Sequence, residues 1–402
     1  MQSMKISTIV LKVASRCNLN CSYCYMYNMG DMSYLLQPKF ISDQVVDSLL
    51  TRIKNHVQAH GIEEMSIAFH GGEPLLINKD FYEKFVKKAL QKVNNTKLRF
   101  AIQTNGILLD DEWASYLTKL NILIGVSIDG NKSAHDKYRK YHSGKGSYDD
   151  AIKGFQIAKK YGYKGVITVI NVESNPEDVY LSYKEVGIED LILLIPDHNF
   201  DQPPLGIKNY YESGLTLYGD WLVKMYNLWQ SDTSPQRPSM RFFKSIIGLI
   251  LGYEEVGNQL IGTTQNDVLV VETDGSIEAV DPLKICGHNF TKAGMNVLTN
   301  EFDEALETPL ASMYYDSHHI LCEKCKRCPI NNICGSGFLP HRYSTENGFN
   351  NPSVYCNDLI KIITHIQNNL VDYLPDDIIL ESGIEKITFQ EVRSSFDDSL
   401  VN

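Results

Sequence analysis

Three cysteines stand close together near the start of the chain, in Cys17-Asn-Leu-Asn-Cys21-Ser-Tyr-Cys24. Thiolates are soft ligands that suit iron–sulfur clusters and zinc. Three of them on one short loop can hold three irons of a cubane and leave the fourth iron open to a small-molecule chelator. A structural zinc site would want a fourth ligand to close it. A second group, Cys325-x2-Cys328-x5-Cys334 with Cys356 further on, supplies four thiols, enough to close one site. A tetrathiolate of that kind suits zinc as well as a cluster. Cys286 and Cys322 remain as extras, for a second, incomplete cluster or for nothing.

Other segments carry polar groups near glycines: Phe69-His70-Gly71-Gly72-Glu73-Pro74, Gln103-Thr104-Asn105-Gly106, Gly125-Val126-Ser127-Ile128-Asp129-Gly130 and His135-Asp136-Lys137-Tyr138-Arg139. Glycines after a strand let backbone approach a ligand closely. Glu73 and a neighbouring carbonyl offer acceptors for a cationic amine, and Ser127 and Asp129 share one face of a strand with period two. An arginine such as Arg139 is a fork for a carboxylate. Asp281, after the turn Asp274-Gly275, is a candidate proton acceptor or simply a turn residue.

The elements that must position these groups alternate over the first 200 residues. Strand-like runs are 5–13, 65–69, 98–103, 122–128, 165–170 and 190–195. Helical patterns fall at 43–57, 79–93, 110–120, 148–161 and 176–186. Alternation of this kind predicts a parallel sheet with helices outside. The cysteine loop follows the first strand, and the other polar segments close the second, third and fourth. In such folds chemistry gathers beyond the C-terminal ends of the strands. A helix is expected over about 210–230, a hairpin around Asp274-Gly275, a helix over 359–370, and an acidic, weakly patterned end. The segments are thus 1–206, 207–261, 262–358 and 359–402.

The net charge of −11 argues against a nucleic-acid binder. Residues 1–13 are too short and too alternating for a signal-peptide core, and no apolar run approaches the ~20 residues of a membrane span. A cytoplasmic home is expected. In a reducing compartment nine clustered cysteines read as metal or cluster ligands, not disulfides.

C-x3-C-x2-C with an aromatic before the last cysteine, here Tyr23, resembles the signature of the radical S-adenosylmethionine superfamily. The glycine-rich segment resembles that family's GGEP motif. The resemblance covers about residues 5–200. It implies an α/β fold, a partial (β/α)6 TIM-like barrel, with a [4Fe–4S] cluster on Cys17, Cys21 and Cys24. S-adenosylmethionine would be held by Tyr23, Gly71, Gly72, Glu73, Asn105, Ser127, Asp129 and Arg139. Ser127 and Arg139 are implied to take the cofactor carboxylate.

The C-terminal cysteines resemble the SPASM extension of peptide-modifying radical enzymes, implying at least one auxiliary [4Fe–4S] cluster on Cys325, Cys328, Cys334 and Cys356. The sequence departs from that pattern at two usual cysteines of a second auxiliary cluster, where it has Val280 and Phe338. By the same resemblance Asp281 is a base toward the substrate. Pro340–Ser344 and Phe349–Cys356 resemble enzymes that install carbon–carbon crosslinks, including cyclophanes, in ribosomally made precursor peptides. Such a maturase is the expected function, with a precursor peptide and a flavodoxin- or ferredoxin-type reductant as partners, and no nucleic acid or membrane. The alternatives are formylglycine formation in sulfatases under anaerobic conditions, thioether formation or epimerisation. A non-enzymatic alternative is an iron–sulfur electron carrier or zinc-stapled binding module, for which a cofactor cradle has no use.

Overall fold

The computed structural model describes residues 4–396. Residues 1–3 and 397–402, parts of the first and last expected segments, lie outside the described residues. The chain alternates as its periodicity predicts: β1 (Thr8–Ala14), α1 (Asp43–His60), β2 (Glu64–Gly71), α2 (Lys79–Lys92), β3 (Lys97–Thr104), α3 (Asp111–Lys119) and β4 (Ile122–Ser127). Then come α4 (Lys132–Tyr138), α5 (Tyr148–Lys160), β5 (Gly165–Val169), α6 (Pro176–Val186) and β6 (Asp190–Leu194). α4, unmarked in the sequence reading, starts where the Asn131 side chain accepts the Ala134 N–H, an N-cap that satisfies a free donor. α7 (Leu217–Ser231) starts later than expected, because Asn209 and Gly214 take left-handed backbone and turn the chain first. β7 (Ser239–Met240) and α8 (Arg241–Ile250) follow, and then the hairpin β8 (Val268–Val271) and β9 (Ile277–Glu278).

The chain packs as two compact units. Among the described residues the first holds 4–168, 186–188 and 267–315, and the second holds 169–185, 189–266 and 316–396. The division cuts across the four expected segments: the hairpin and Asp281 fall with the N-terminal strands, and the four C-terminal cysteines fall in the other unit.

In the first unit β1–β2, β2–β3, β3–β4 and β4–β5 are all parallel pairs. The expected α/β fold of partial-barrel type is present. β8 adds a parallel neighbour to β1, Thr8 opposite Val268 through Leu11 opposite Val271, and β9 returns antiparallel on β8. Gly275, at φ +85°, supplies the left-handed residue of that turn.

Strand parity decides which residues face the helices. Leu11 stands opposite Phe69 in the β1–β2 register. Phe69 packs edge-to-face on Tyr82 and Phe85 of α2, each with ring centres 5.1 Å away. Lys12 and His70, the next pair in register, therefore lie on the opposite face. α1 covers the helix side with Val46, Leu49, Leu50, Ile53 and Val57 buried. It is capped by Ser42, which accepts the Val45 N–H, and closed by left-handed Gly61.

In the second unit β6 pairs parallel with β7, Asp190 opposite Ser239. The helix Cys356–Tyr373 carries the expected apolar stripe and begins at the last cysteine, three residues before the expected start. The weakly patterned end contains two short helices, Asp376–Ser382 and Phe389–Ser394. Among the described residues no helix is long and apolar enough to cross a membrane.

Candidate active site and thiolate site

The loop after β1 is held from the far side of the unit. Asn20 N donates to Lys140 O (2.7 Å) and Ser22 N to Tyr138 O (3.1 Å), while His142 Nε2 lies 3.0 Å from Cys17 O. The residues around the end of α4 thus fix the loop from which Cys17, Cys21 and Cys24 project, all three free and half-buried. Leu19 N points at Cys17 Sγ (3.4 Å) and Asn105 Nδ2 lies 3.7 Å from it, donors suited to a thiolate. Three thiols on one loop, with N–H donors around the first, fit a cluster that leaves one iron open.

The GGEP segment supports this loop by contact with protein. Gly72 N donates to Ala14 O (2.8 Å) and Glu73 N to Arg16 O (2.9 Å), which continues β2 alongside the chain leading into Cys17. A Cβ at Gly71 would overlap the Ala14 carbonyl, and one at Gly72 would overlap the Arg16 carbonyl and the Tyr27 hydroxyl. The expected close approach is therefore to backbone of the same chain. Gly72→Ala should cost about 1–3 kcal/mol, as overpacking does. A chemical-denaturation midpoint equal to that of the parent protein would show that the loop yields freely instead.

Glu73 also differs from expectation. It is fully buried, with Oε1 accepting from Leu75 N (3.0 Å) and Thr104 Oγ1 (2.7 Å) and Oε2 from Asn105 N (2.9 Å). These bonds make it a brace between the ends of β2 and β3. Asn105 passes the brace on, its side chain donating to Asn18 Oδ1 (2.7 Å) inside the cysteine loop.

Tyr23, Asp129 and Arg139 meet. The Tyr23 hydroxyl donates to Asp129 and accepts from Arg139 Nη1 (2.8 Å), and the Arg139–Asp129 separation is 3.9 Å. Buried His135 fixes Asp129 by accepting its backbone N–H (3.2 Å). Burial, helped by the Arg139 charge, pushes that imidazole down to about 2, so it is neutral. Arg139 Nε is buried without a partner, a donor left over for a ligand. Ser127 goes elsewhere: its Oγ accepts from Gln103 Nε2 (2.8 Å).

Asp281 comes to this same unit through the β1–β8 pairing. It forms a buried ion pair with Lys12 and accepts from the Tyr25 hydroxyl (2.7 Å). His70 Nδ1 lies 3.0 Å from Lys12 Nζ. Burial alone would raise the Asp281 carboxyl, but the Lys12 ammonium outweighs it and holds the group at about 2. Burial, then the Lys12 charge, lowers His70 to about 4. At neutral pH Asp281 is a carboxylate and His70 a neutral imidazole. Lys12 and Tyr25 are not marked by the sequence reading, and His70 only as part of the glycine-rich segment, although a lysine inside the apolar strand TIVLKVA is a readable signal.

Replacing Lys12 by Met leaves Asp281 with burial and without its counter-charge, so its pKa rises. A reaction that needs the ionised carboxylate should then fall as pH drops through the raised value, where the parent protein stays flat. Breaking a buried pair also costs about 3–5 kcal/mol. A pH–rate profile of the Met variant that overlays the parent's would rule out this electrostatic role.

In the second unit Cys325, Cys328, Cys334 and Cys356 line one small cavity with Ser336, whose hydroxyl donates to Cys325 Sγ (3.0 Å). The turn after Cys334 needs three successive left-handed residues, Gly335, Ser336 and Gly337, at φ 58°, 66° and 69°. Four thiols around one cavity suit a cluster, and among the described residues their sulfurs do not close on a single-ion position. Phe338 is buried and packs edge-to-face on His341 (5.3 Å), and Val280 in the first unit is buried too. Cys286 belongs to the first unit and Cys322 to the second.

Residues 11–186 match the family model described as the Radical SAM superfamily. The match spans 176 of the 402 residues, and the fold and the three-cysteine loop agree with it in supporting a radical S-adenosylmethionine enzyme. Its cofactors are S-adenosylmethionine, a [4Fe–4S] radical cluster and at least one auxiliary [4Fe–4S] cluster. The chain is similar to the cysteine-type anaerobic sulfatase-maturating enzyme of Clostridium perfringens, at 27% identity over 87% of this chain and 93% of that protein. It is also similar to the serine-type anaerobic sulfatase-maturating enzyme of Bacteroides thetaiotaomicron, at 24% identity over 89% and 88%. The solved structure of native anSMEcpe with bound AdoMet and Kp18Cys peptide superposes with a TM-score of 0.77, at 25% identity, over 91% of this chain and 98% of that one.

These likenesses overturn the expected carbon–carbon crosslinking. The tail segment that suggested it is packing: Tyr355 is buried, donates to Pro196 O (2.9 Å) and meets His341 ring to ring (5.0 Å). Its residue types are set by the core of the second unit.

Proposed function

We propose that the enzyme oxidises a cysteine or serine side chain of a peptide or protein substrate to the formylglycine aldehyde, as an anaerobic maturase of the sulfatase type. Near-full-length similarity to such maturases supports this, and the observation that carries it is Asp281 held as a buried carboxylate by Lys12 and Tyr25. In this reading Cys17, Cys21 and Cys24 hold the radical cluster, Arg139 with Tyr23 and Asp129 faces the cofactor, and Cys325, Cys328, Cys334 and Cys356 hold the auxiliary cluster. When bound, the cofactor and clusters supply a hydrogen-abstracting deoxyadenosyl radical and one-electron acceptor chemistry. Asp281 takes the thiol or hydroxyl proton that must leave as the side-chain carbon becomes a carbonyl, or a thiocarbonyl that water then hydrolyses to the aldehyde with release of hydrogen sulfide. Lys12 keeps that carboxylate ionised before the proton arrives, and Tyr25 orients it.

The test uses two synthetic peptides carrying the active-site segment of a sulfatase, identical except for cysteine or serine at the target. Anaerobically reconstituted enzyme, S-adenosylmethionine and dithionite should yield an aldehyde that a hydrazine reagent traps on one or both. Deoxyadenosine without trapped aldehyde on either peptide would sink the reading.

A further inference from the structure

Arg342 is fully buried, at the end of a short 3-10 turn, Leu339–Arg342, that follows the Cys334 loop. Its Nη1 donates to Ile320 O (2.9 Å) and its Nη2 to Ser317 O (2.7 Å), two carbonyls on the chain leading into Cys322. Its Nε is buried with no partner, and among the described residues no carboxylate pairs with it. A guanidinium does not shed its proton to escape burial. Burying it without an anion is heavily penalised. The groups that face it with negative charge when ionised are Cys325, Cys322 and Cys334.

We infer that Arg342 is the built-in counter-charge of the auxiliary cluster and sets its reduction potential. A cubane held by four thiolates is an anion in both of its working states, and it gains a further negative charge on reduction. A fixed cation beside the thiolates compensates that charge, and it favours the reduced state more than the oxidised one. It therefore raises the potential, through net charge. Cys322 stands beside Cys325 but does not line the cavity, so the arginine serves a four-thiol set with a fifth thiol next to it. The inference does not depend on which side chain the enzyme oxidises.

The experiment uses full-length, anaerobically reconstituted holoenzyme as the parent, Arg342→Lys and Arg342→Gln. Iron and sulfide are counted, and the auxiliary cluster is titrated by potentiometry with electron paramagnetic resonance. The radical cluster, marked by its response to S-adenosylmethionine, is the internal reference. Arg342→Gln should lower the auxiliary potential with iron and the reference unchanged, and Arg342→Lys should hold it near the parent value. If Gln depletes auxiliary iron, retention by Lys supports a charge role. An unchanged potential in a fully loaded Gln variant overturns the inference. So does equal iron loss in both variants, which would make Arg342 only an anchor for Ser317 and Ile320. Zinc in place of iron at the site overturns it as well.

Discussion

Replacing Cys17, Cys21 and Cys24 together by alanine should abolish formation of 5′-deoxyadenosine under dithionite while leaving auxiliary iron in place. The three thiols project from a loop whose backbone is fixed by Lys140 O and Tyr138 O, not by the thiols themselves. The loop should therefore keep its course without sulfur. The cofactor, by contrast, loses the cluster that gives it an electron, and no other group of three cysteines lies in that unit. Iron content should fall by one cubane, read by colorimetric assay alongside chromatography of the nucleoside products. Continued deoxyadenosine production by the triple variant would remove these cysteines from the mechanism.

The second large effect is at Asp281. Asp281→Asn keeps the size of the side chain and its hydrogen bond to Tyr25 but removes the carboxylate. General-base contributions are about 100- to 10,000-fold, so trapped aldehyde should drop by that order while deoxyadenosine continues to form. The change also strands the Lys12 ammonium, 0% exposed, without its counter-ion. Melting temperature and iron content must therefore be measured on the same preparation. A stable, fully loaded Asn variant that makes aldehyde at the parent rate would exclude Asp281 as the base. Loss of both products in a protein that still melts cooperatively would place Asp281 at the cofactor instead.

The sequence showed the parts that depend on local chemistry. The cysteine spacing, the six strand–helix alternations and the Asp274-Gly275 hairpin are each written within a few residues, because period and turn type are local properties. What it hid depends on pairing over long distances. Nothing in 268–271 says that it lies parallel to 8–11, yet that pairing brings Asp281 to Lys12. The glycines of GGEP were readable as a demand for close approach, but not that the approaching group is the carbonyl of Ala14 or Arg16. Glu73 read as a ligand for an amine because a carboxylate after a strand looks free until its three donors are seen. The reaction class was misread for a related reason. Residues such as His341 and Tyr355 are fixed by core packing, and a packing motif can be shared by enzymes that perform different oxidations.

The Lys12–Asp281 pair spans 269 residues of chain. At a ribosomal rate of about 5–20 residues per second, Lys12 waits roughly 15–50 s for its counter-ion to be made. During that interval the first five strands can exist, but β1 has an open edge where β8 will lie and an ammonium with nothing to neutralise it. The closure is therefore slow and late, as contacts of long sequence separation are. Until it happens, the N-terminal strands have both a free edge and a charged interior, which discourages premature completion of the sheet. The lysine that holds the Asp281 carboxylate ionised in the folded protein thus meets its counter-ion only after nearly three quarters of the chain has been made.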